Sequence, residues 1–280
     1  MIKRKTMRPV TLRRVIEVCS LALKGRRLDV KMVSEKLNTS RLRAKEILLE
    51  VERMGLLDNS KGFWTFNDRT VKFLEYFEKE DWKGIHRYFL NHYHFYRAFI
   101  QILQDHIDKE EGLSLNEIKN ERKANLNRTA IEVLSDWCER LGVIQRNLYT
   151  GKIYLIKENE IPSLKEFLIH LTKAYVKLSV SQWRREIFVK IPLIREHLCE
   201  NLKISRATFN KLLKKAYLDN IGKIEFSGAP ITTLAKKSPL REKRIKPHGK
   251  EMIMSTQLNS QRKREGITVN KKTYYYLAIH

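Results

Sequence analysis

Apolar residues recur every three to four positions along most of this 280-residue chain, and the elements they predict come in the same order three times. In the first run, Val15, Val18, Cys19 and Ala22 at helical spacing predict a helix from about Thr11 to Lys24. A short helix, Lys31 to Leu37, follows. Asn38-Thr39-Ser40 then makes a turn whose hydroxyls can cap a third helix. That helix, Arg41 to Met54, turns Ala44, Ile47, Leu48, Val51 and Met54 inward, and Gly55 stops it. Leu56-Leu57 and Phe63-Trp64-Thr65-Phe66 read as two short strands around the turn-rich tip Asn59-Ser60-Lys61-Gly62.

The second run opens on a long aromatic-rich helical stretch, Trp82 to about Ile107. A short helix (Leu115 to Arg122), a turn (Asn125-Leu126-Asn127) and a third helix (Arg128 to Leu141) come next. Ile131, Leu134, Cys138 and Leu141 form the inward stripe of that helix, and Gly142 ends it. Val143 to Arg146 and Lys152 to Ile156 are strands joined by a turn carrying Gly151. The third run begins with a helix from Leu164 to Leu178 and a β-rich stretch, Ile187-Phe188-Val189. Pro192 suits a first helical position and leads a helix from Leu193 to Leu202. After the turn Lys203-Ile204-Ser205, the third helix runs from Arg206 to Leu218 with Phe209, Leu212, Leu213 and Ala216 inward. Strands follow at Lys223 to Phe226 and Tyr274 to Ile279.

Helix, short helix, tight turn, helix and two-stranded hairpin is an order that resembles the winged helix-turn-helix superfamily. The resemblance is one of pattern, it covers most of the chain, and no family-specific motif accompanies it. It implies a mainly α fold with small β-hairpins, organised as tandem domains at 1–80, 81–160 and 161–280. It also implies that the third helix of a copy enters the major groove of DNA while the hairpin wing contacts backbone or minor groove.

Charge sharpens this picture because it is unevenly placed. The chain carries a formal +24. Residues 1–50 hold fourteen basic and five acidic side chains, and residues 201–280 hold eighteen against five. The stretch between them is almost neutral, so the two ends read as contact surfaces and the middle as a spacer. The third helices differ in the same sense. The first offers Arg41, Arg43 and Lys45, with Lys61 at the tip of its wing. The last offers Ser205, Arg206, Thr208, Asn210, Lys211, Lys214 and Lys215. Arg pairs with guanine, Asn with adenine, and Ser, Thr and Lys with phosphates. The middle helix instead presents Glu132, Asp136 and Glu139, which would face phosphates with the wrong sign.

Between the last two strands lies a stretch too polar to pack: Lys236, Lys237, Arg241, Lys243, Arg244, Lys246, Lys250, Arg262, Lys263 and Arg264 against two Glu. Its composition predicts a segment that orders on a polyanion. With about six to eight phosphate contacts, log affinity would fall with log salt at a slope of roughly −5 to −7. The stretch contains no aromatic residue between Leu234 and Asn270, which favours duplex DNA over an RNA that stacks its bases.

Candidate chemistry subtracts rather than adds. Cys19, Cys138 and Cys199 have no disulfide or zinc spacing and read as small core residues. His92, His94 and His106 lack a completing ligand, Tyr274, Tyr275 and Tyr276 read as alternating strand residues, and neither a Walker loop nor G-x-G-x-x-G occurs. No metal, cofactor or catalytic site is expected. Glu17 interrupts the apolar run near the start, so a signal peptide is not expected either.

The sequence therefore predicts a cytoplasmic or nucleoid-associated, non-membrane, non-catalytic protein that binds double-stranded DNA. A transcriptional regulator fits, as does the DNA-holding component of a replication, plasmid-maintenance or defence assembly. The alternative is an architectural or adaptor subunit whose winged helices contact protein and whose basic loop contacts RNA or nucleoprotein. Tyr88, Phe89, Tyr93, Phe95, Tyr96 and Phe99 lie on more than one helical face. The 82–107 region is thus read either as buried within the chain or, with the second domain, as the contact for a dimer or larger assembly.

Overall fold

The computed structural model describes residues 6–25, 27–121, 125–157, 159–180, 186–228, 244–245, 252–253 and 265–280. The chain is mainly helical with small antiparallel strand pairs and divides into two compact units. The first unit is built on Met1–His106, Leu113–Ile144 and Arg244–Ile253; the second on Ile107–Gly112, Gln145–Lys243 and Met254–His280.

In the first unit, α1 (Leu12–Leu23), α2 (Val30–Lys36) and α3 (Arg41–Arg53) start where small polar side chains predict they should. Thr11, Asp29 and Ser40 each accept a backbone N–H from the first turn of the helix they cap. α3 packs against α1 and α2, burying Ala44, Ile47, Leu48 and Val51. β1 (Asp58–Ser60) and β2 (Phe63–Thr65) pair antiparallel, with Asn59 opposite Trp64. The expected first strand, Leu56-Leu57, is displaced two residues onward. Both leucines are buried in the core, and the chain becomes extended only after them. Leu28 exchanges both backbone hydrogen bonds with Trp64, 2.8 and 2.9 Å, and so extends this hairpin by a single residue that lies between α1 and α2 in sequence.

Two features of this unit depart from expectation. α4 (Asp68–Glu78) was not anticipated; Asn67 and Thr70 close a reciprocal capping box at its start, and Phe73, Leu74 and Phe77 bury its inner stripe. The aromatic stretch is two helices, α5 (Trp82–His92) and α6 (His94–Gln104), broken at Tyr93, which takes an extended conformation. The break lets Tyr93 turn inward, where its hydroxyl donates to Glu50 Oε1 at 2.5 Å. All six aromatic rings of the stretch are buried in this unit. Phe89 packs edge-on to Phe73 and tilted against Trp137 of α8 (Arg128–Arg140), with centroids 5.6 and 5.1 Å away. These rings fill the core, so a contact with a second protein through them does not fit their burial. α7 (Leu115–Asn120) precedes α8 and packs on it.

β3 (Ile144–Arg146), which crosses the division after its first residue, forms a two-stranded sheet with β4 (Ile153–Leu155). α9 (Leu164–Ser179), β5 (Val189–Lys190), α10 (Ile191–Leu202) and α11 (Arg206–Asp219) follow. α10 ends at Lys203, a left-handed residue at φ 54° that aims the chain into α11. β6 (Ile224–Ser227) leads to the short antiparallel pair β7 (Arg244–Ile245) and β8 (Met252–Ile253). The chain then forms the hairpin β9 (Ile267–Val269) and β10 (Lys272–Tyr274), and ends in β11 (Tyr276–Ile279). β11 is the central strand of a three-stranded sheet, β5-β11-β6, with Leu277 opposite Val189 on one side and Phe226 on the other. Against this sheet the three helices bury one core, in which Phe167 of α9 meets Phe209 of α11 edge-on at 5.6 Å and Tyr217 stacks on Phe226 at 4.2 Å.

Candidate nucleic-acid interface

The face of α11 is set by its cap and its stripe. Ser205 Oγ accepts the Thr208 backbone N–H at 3.1 Å, and the two hydroxyls lie 2.9 Å apart. Both expected contacts are therefore occupied in starting the helix. Phe209, Leu213 and Ala216 point into the core. What remains outward is Ala207, Lys211, Lys214, Lys215, at 51% exposure Leu218, and the terminal Asp219. None of the three lysines makes an ion pair among the described residues.

Two residues expected on that face are elsewhere. Arg206 is mostly buried: its side chain is 14% exposed and pairs with Glu196, which is 1% exposed. Nε and Nη2 each donate to a Glu196 carboxylate oxygen at 2.6 Å, and Nη2 also donates to the Arg146 carbonyl at 2.6 Å. Its backbone N–H donates to Gln145 Oε1 at 3.0 Å. Burial opposes the charge on Arg206, but the Glu196 bonds outweigh it and hold its pKa above the ordinary value. Asn210 turns its amide oxygen inward, where it is buried without a hydrogen-bond partner among the described residues.

Glu196 belongs to a buried acidic face on α10. It also accepts the Leu148 N–H at 2.9 Å, while Glu200 accepts the Gly112 N–H at 2.7 Å and the Asn147 side-chain amide. The turn after β3, the start of α11 and α10 are thereby one hydrogen-bonded assembly.

The corresponding face of α3 is more open at its start. Arg41 and Lys45 are exposed and make no ion pair among the described residues, and Leu42 between them is 73% exposed. Arg43 is not free: it pairs with Glu46 at 3.0 Å and donates to the Pro9 carbonyl, which removes it from the expected contacts. Glu50 anchors the far end of α3. Wholly buried, it accepts the Tyr93 hydroxyl and the Arg8 N–H, and pairs with Arg8 at 3.5 Å and Arg53 at 3.3 Å. Burial pushes its pKa up despite these partners. Lys61 stands exposed at the hairpin tip at φ 49°.

On α8, Glu132 and Asp136 pair along their own helix with Arg128 (3.1 Å) and Arg140 (2.8 Å). Of the expected cationic loop, Lys236, Lys237, Arg241, Lys243, Lys246, Lys250, Arg262, Lys263 and Arg264 lie outside the described residues, and Arg244 is described only as backbone in β7. The Glu196 anchor leaves no local signal in the sequence, whereas Leu42 stands off the apolar stripe and between two arginines.

Among the described residues no cluster of His, Cys, Asp or Glu is arranged to hold a metal ion, and no helix is long and apolar enough to cross a membrane. The three cysteines are buried, and burial pushes the Cys138 and Cys199 thiols up to about 12, far from a thiolate nucleophile. No protein-family model matches the chain, and no curated protein matches it.

Proposed function

We propose that this chain is a non-catalytic protein that binds double-stranded DNA, using winged helix-turn-helix domains in tandem. The observation that carries this reading is the exposed row Lys211, Lys214 and Lys215, without an ion pair among the described residues, on a helix that begins at a capped turn. A second observation supports the fold part. β5 lies between α9 and α10 in sequence yet pairs with β11 beside β6, so a helix, strand, helix, turn, helix, strand, strand order closes on one sheet. The Leu28 bridge to Trp64 repeats that arrangement in the first run. Such a domain offers its third helix to the major groove.

An adaptor reading has one observation in its favour: α9 exposes Ile169 and Val176, followed by Val180 just beyond its end, beside Lys165, Lys173 and Lys177. Fluorescence anisotropy with duplex DNA, single-stranded DNA and RNA across a salt series separates the two. The DNA reading expects duplex to bind tightest and Lys211→Glu/Lys214→Glu/Lys215→Glu to weaken it. Removing these three cations should also make the log–log salt slope shallower by about 2 to 3. Absence of duplex binding in dilute buffer, or a triple variant that binds like the parent, defeats it.

A further inference from the structure

We propose that Leu42 reads the 5-methyl group of thymine in the major groove, and this rests on the DNA-binding reading above. α3 needs no apolar residue at this position to fold. Its core stripe is complete with Ala44, Ile47, Leu48 and Val51, all buried on the opposite side, whereas Leu42 is 73% exposed. Lys45 lies three residues after Leu42 and four after Arg41, so it adjoins both on the outward surface of the first turns. Ser40 caps that turn, which fixes the direction in which Leu42 projects.

Charge selects the occupant. An apolar side chain flanked by two exposed cations is poorly matched to an apolar protein groove, which would bury both charges without partners. A duplex supplies phosphates for Arg41 and Lys45, and on its major-groove base edges the thymine methyl is the one apolar group. α11 makes an internal control. Its second residue, Ala207, is also exposed beside cations but is only one methyl long. It can approach a base edge but covers far less of it, so the stronger thymine preference belongs to α3.

The test uses the full chain and short duplexes selected by it from a random-sequence pool. Each duplex is made twice, with thymine and with deoxyuridine, which differ only by the methyl group. The parent protein should bind the uracil form more weakly, by about fourfold for each contacted methyl. Leu42→Ala should bind the thymine duplex as weakly as the parent binds the uracil one, and should no longer distinguish the two. Arg41→Ala should weaken both forms equally and keep the distinction. Since Leu42 is exposed, the variant should retain its helical circular dichroism and melting midpoint. Equal binding of both duplexes by the parent, or a distinction that survives in Leu42→Ala, overturns the assignment while DNA binding stands. No binding to either duplex overturns both.

Discussion

α3 and α11 begin with the same two residues, a capping serine and an arginine, and the arginines meet opposite fates. Arg41 is exposed; Arg206 is locked to Glu196. Nothing in the dipeptide decides this. Ten residues before Arg206 stands Glu196, facing inward on α10, while ten before Arg41 stands Lys31, exposed on α2. Each helix is held by a buried glutamate. In α11 the anchor takes up the first arginine, so the exposed cations begin at Lys211. In α3 the anchor is Glu50, nine residues past Arg41, and the first turn stays open. A cation's availability to a ligand is thus set by where the carboxylate sits, not by which residue opens the helix.

The widest gap between the two helices should appear in stability. Arg206→Ala takes the two-bond partner from the buried Glu196 carboxylate, leaving it Arg195 at 3.9 Å and the Leu148 N–H, and frees the Arg146 carbonyl; it should cost roughly 3 kcal/mol in chemical denaturation. Arg41→Ala, at an exposed position, should stay within about 0.5 kcal/mol. Equal costs for the two arginines would remove the distinction between a locked and an open helix start.

The same contrast explains which parts of the molecule were legible in the sequence. Most helix starts were, because capping is local: Thr11, Asp29, Ser40, Ser114, Asn127, Ser163 and Ser205 all precede helices and accept their first-turn N–H groups, whereas α4 was missed although Asn67 caps it in the same way. The exposed lysines of α11 were legible as the polar complement of an apolar stripe. Arg206 was not, since its partners include Gln145, 61 residues away in sequence. The interruption at Tyr93 was equally hidden. The hydrogen bond that Tyr93 makes there reaches Glu50, 43 residues earlier, and helical periodicity continues through the break. Distant polar burial, rather than weak propensity, is what the pattern of apolar residues failed to report.

A smaller effect tests the anchor of α3. Burial raises the Glu50 pKa above its unfolded value near 4.3. Between those two values the folded state holds a proton that the unfolded chain has released, so stability falls as pH rises through the folded pKa and levels off below the unfolded one. The contribution of this group should therefore grow on acidification from neutral pH, by no more than about 1.4 kcal/mol per unit. Glu50→Gln should remove that component, seen as the difference between parent and variant melting midpoints on acidification from neutral pH toward the unfolded carboxylate value near 4.3. A parent-minus-variant difference that tilts the other way would mean that Arg8, Arg53 and Tyr93, rather than burial, control the carboxylate.

The smallest effect compares two arginines within one helix. Arg41 and Arg43 are neighbours in sequence, yet one is open while the other is tied to Glu46 and the Pro9 carbonyl. On duplex DNA, Arg41→Ala should make the salt slope shallower by about 0.9, the signature of one lost phosphate contact. Arg43→Ala should leave the slope unchanged and act, if at all, through a lower melting midpoint from the lost contact to Pro9. Titrations of both variants across a salt series read this directly. If Arg43→Ala flattens the slope as much as Arg41→Ala does, its ties to Glu46 and Pro9 break on binding, and the exposed surface of the free protein understates the cationic surface that DNA meets.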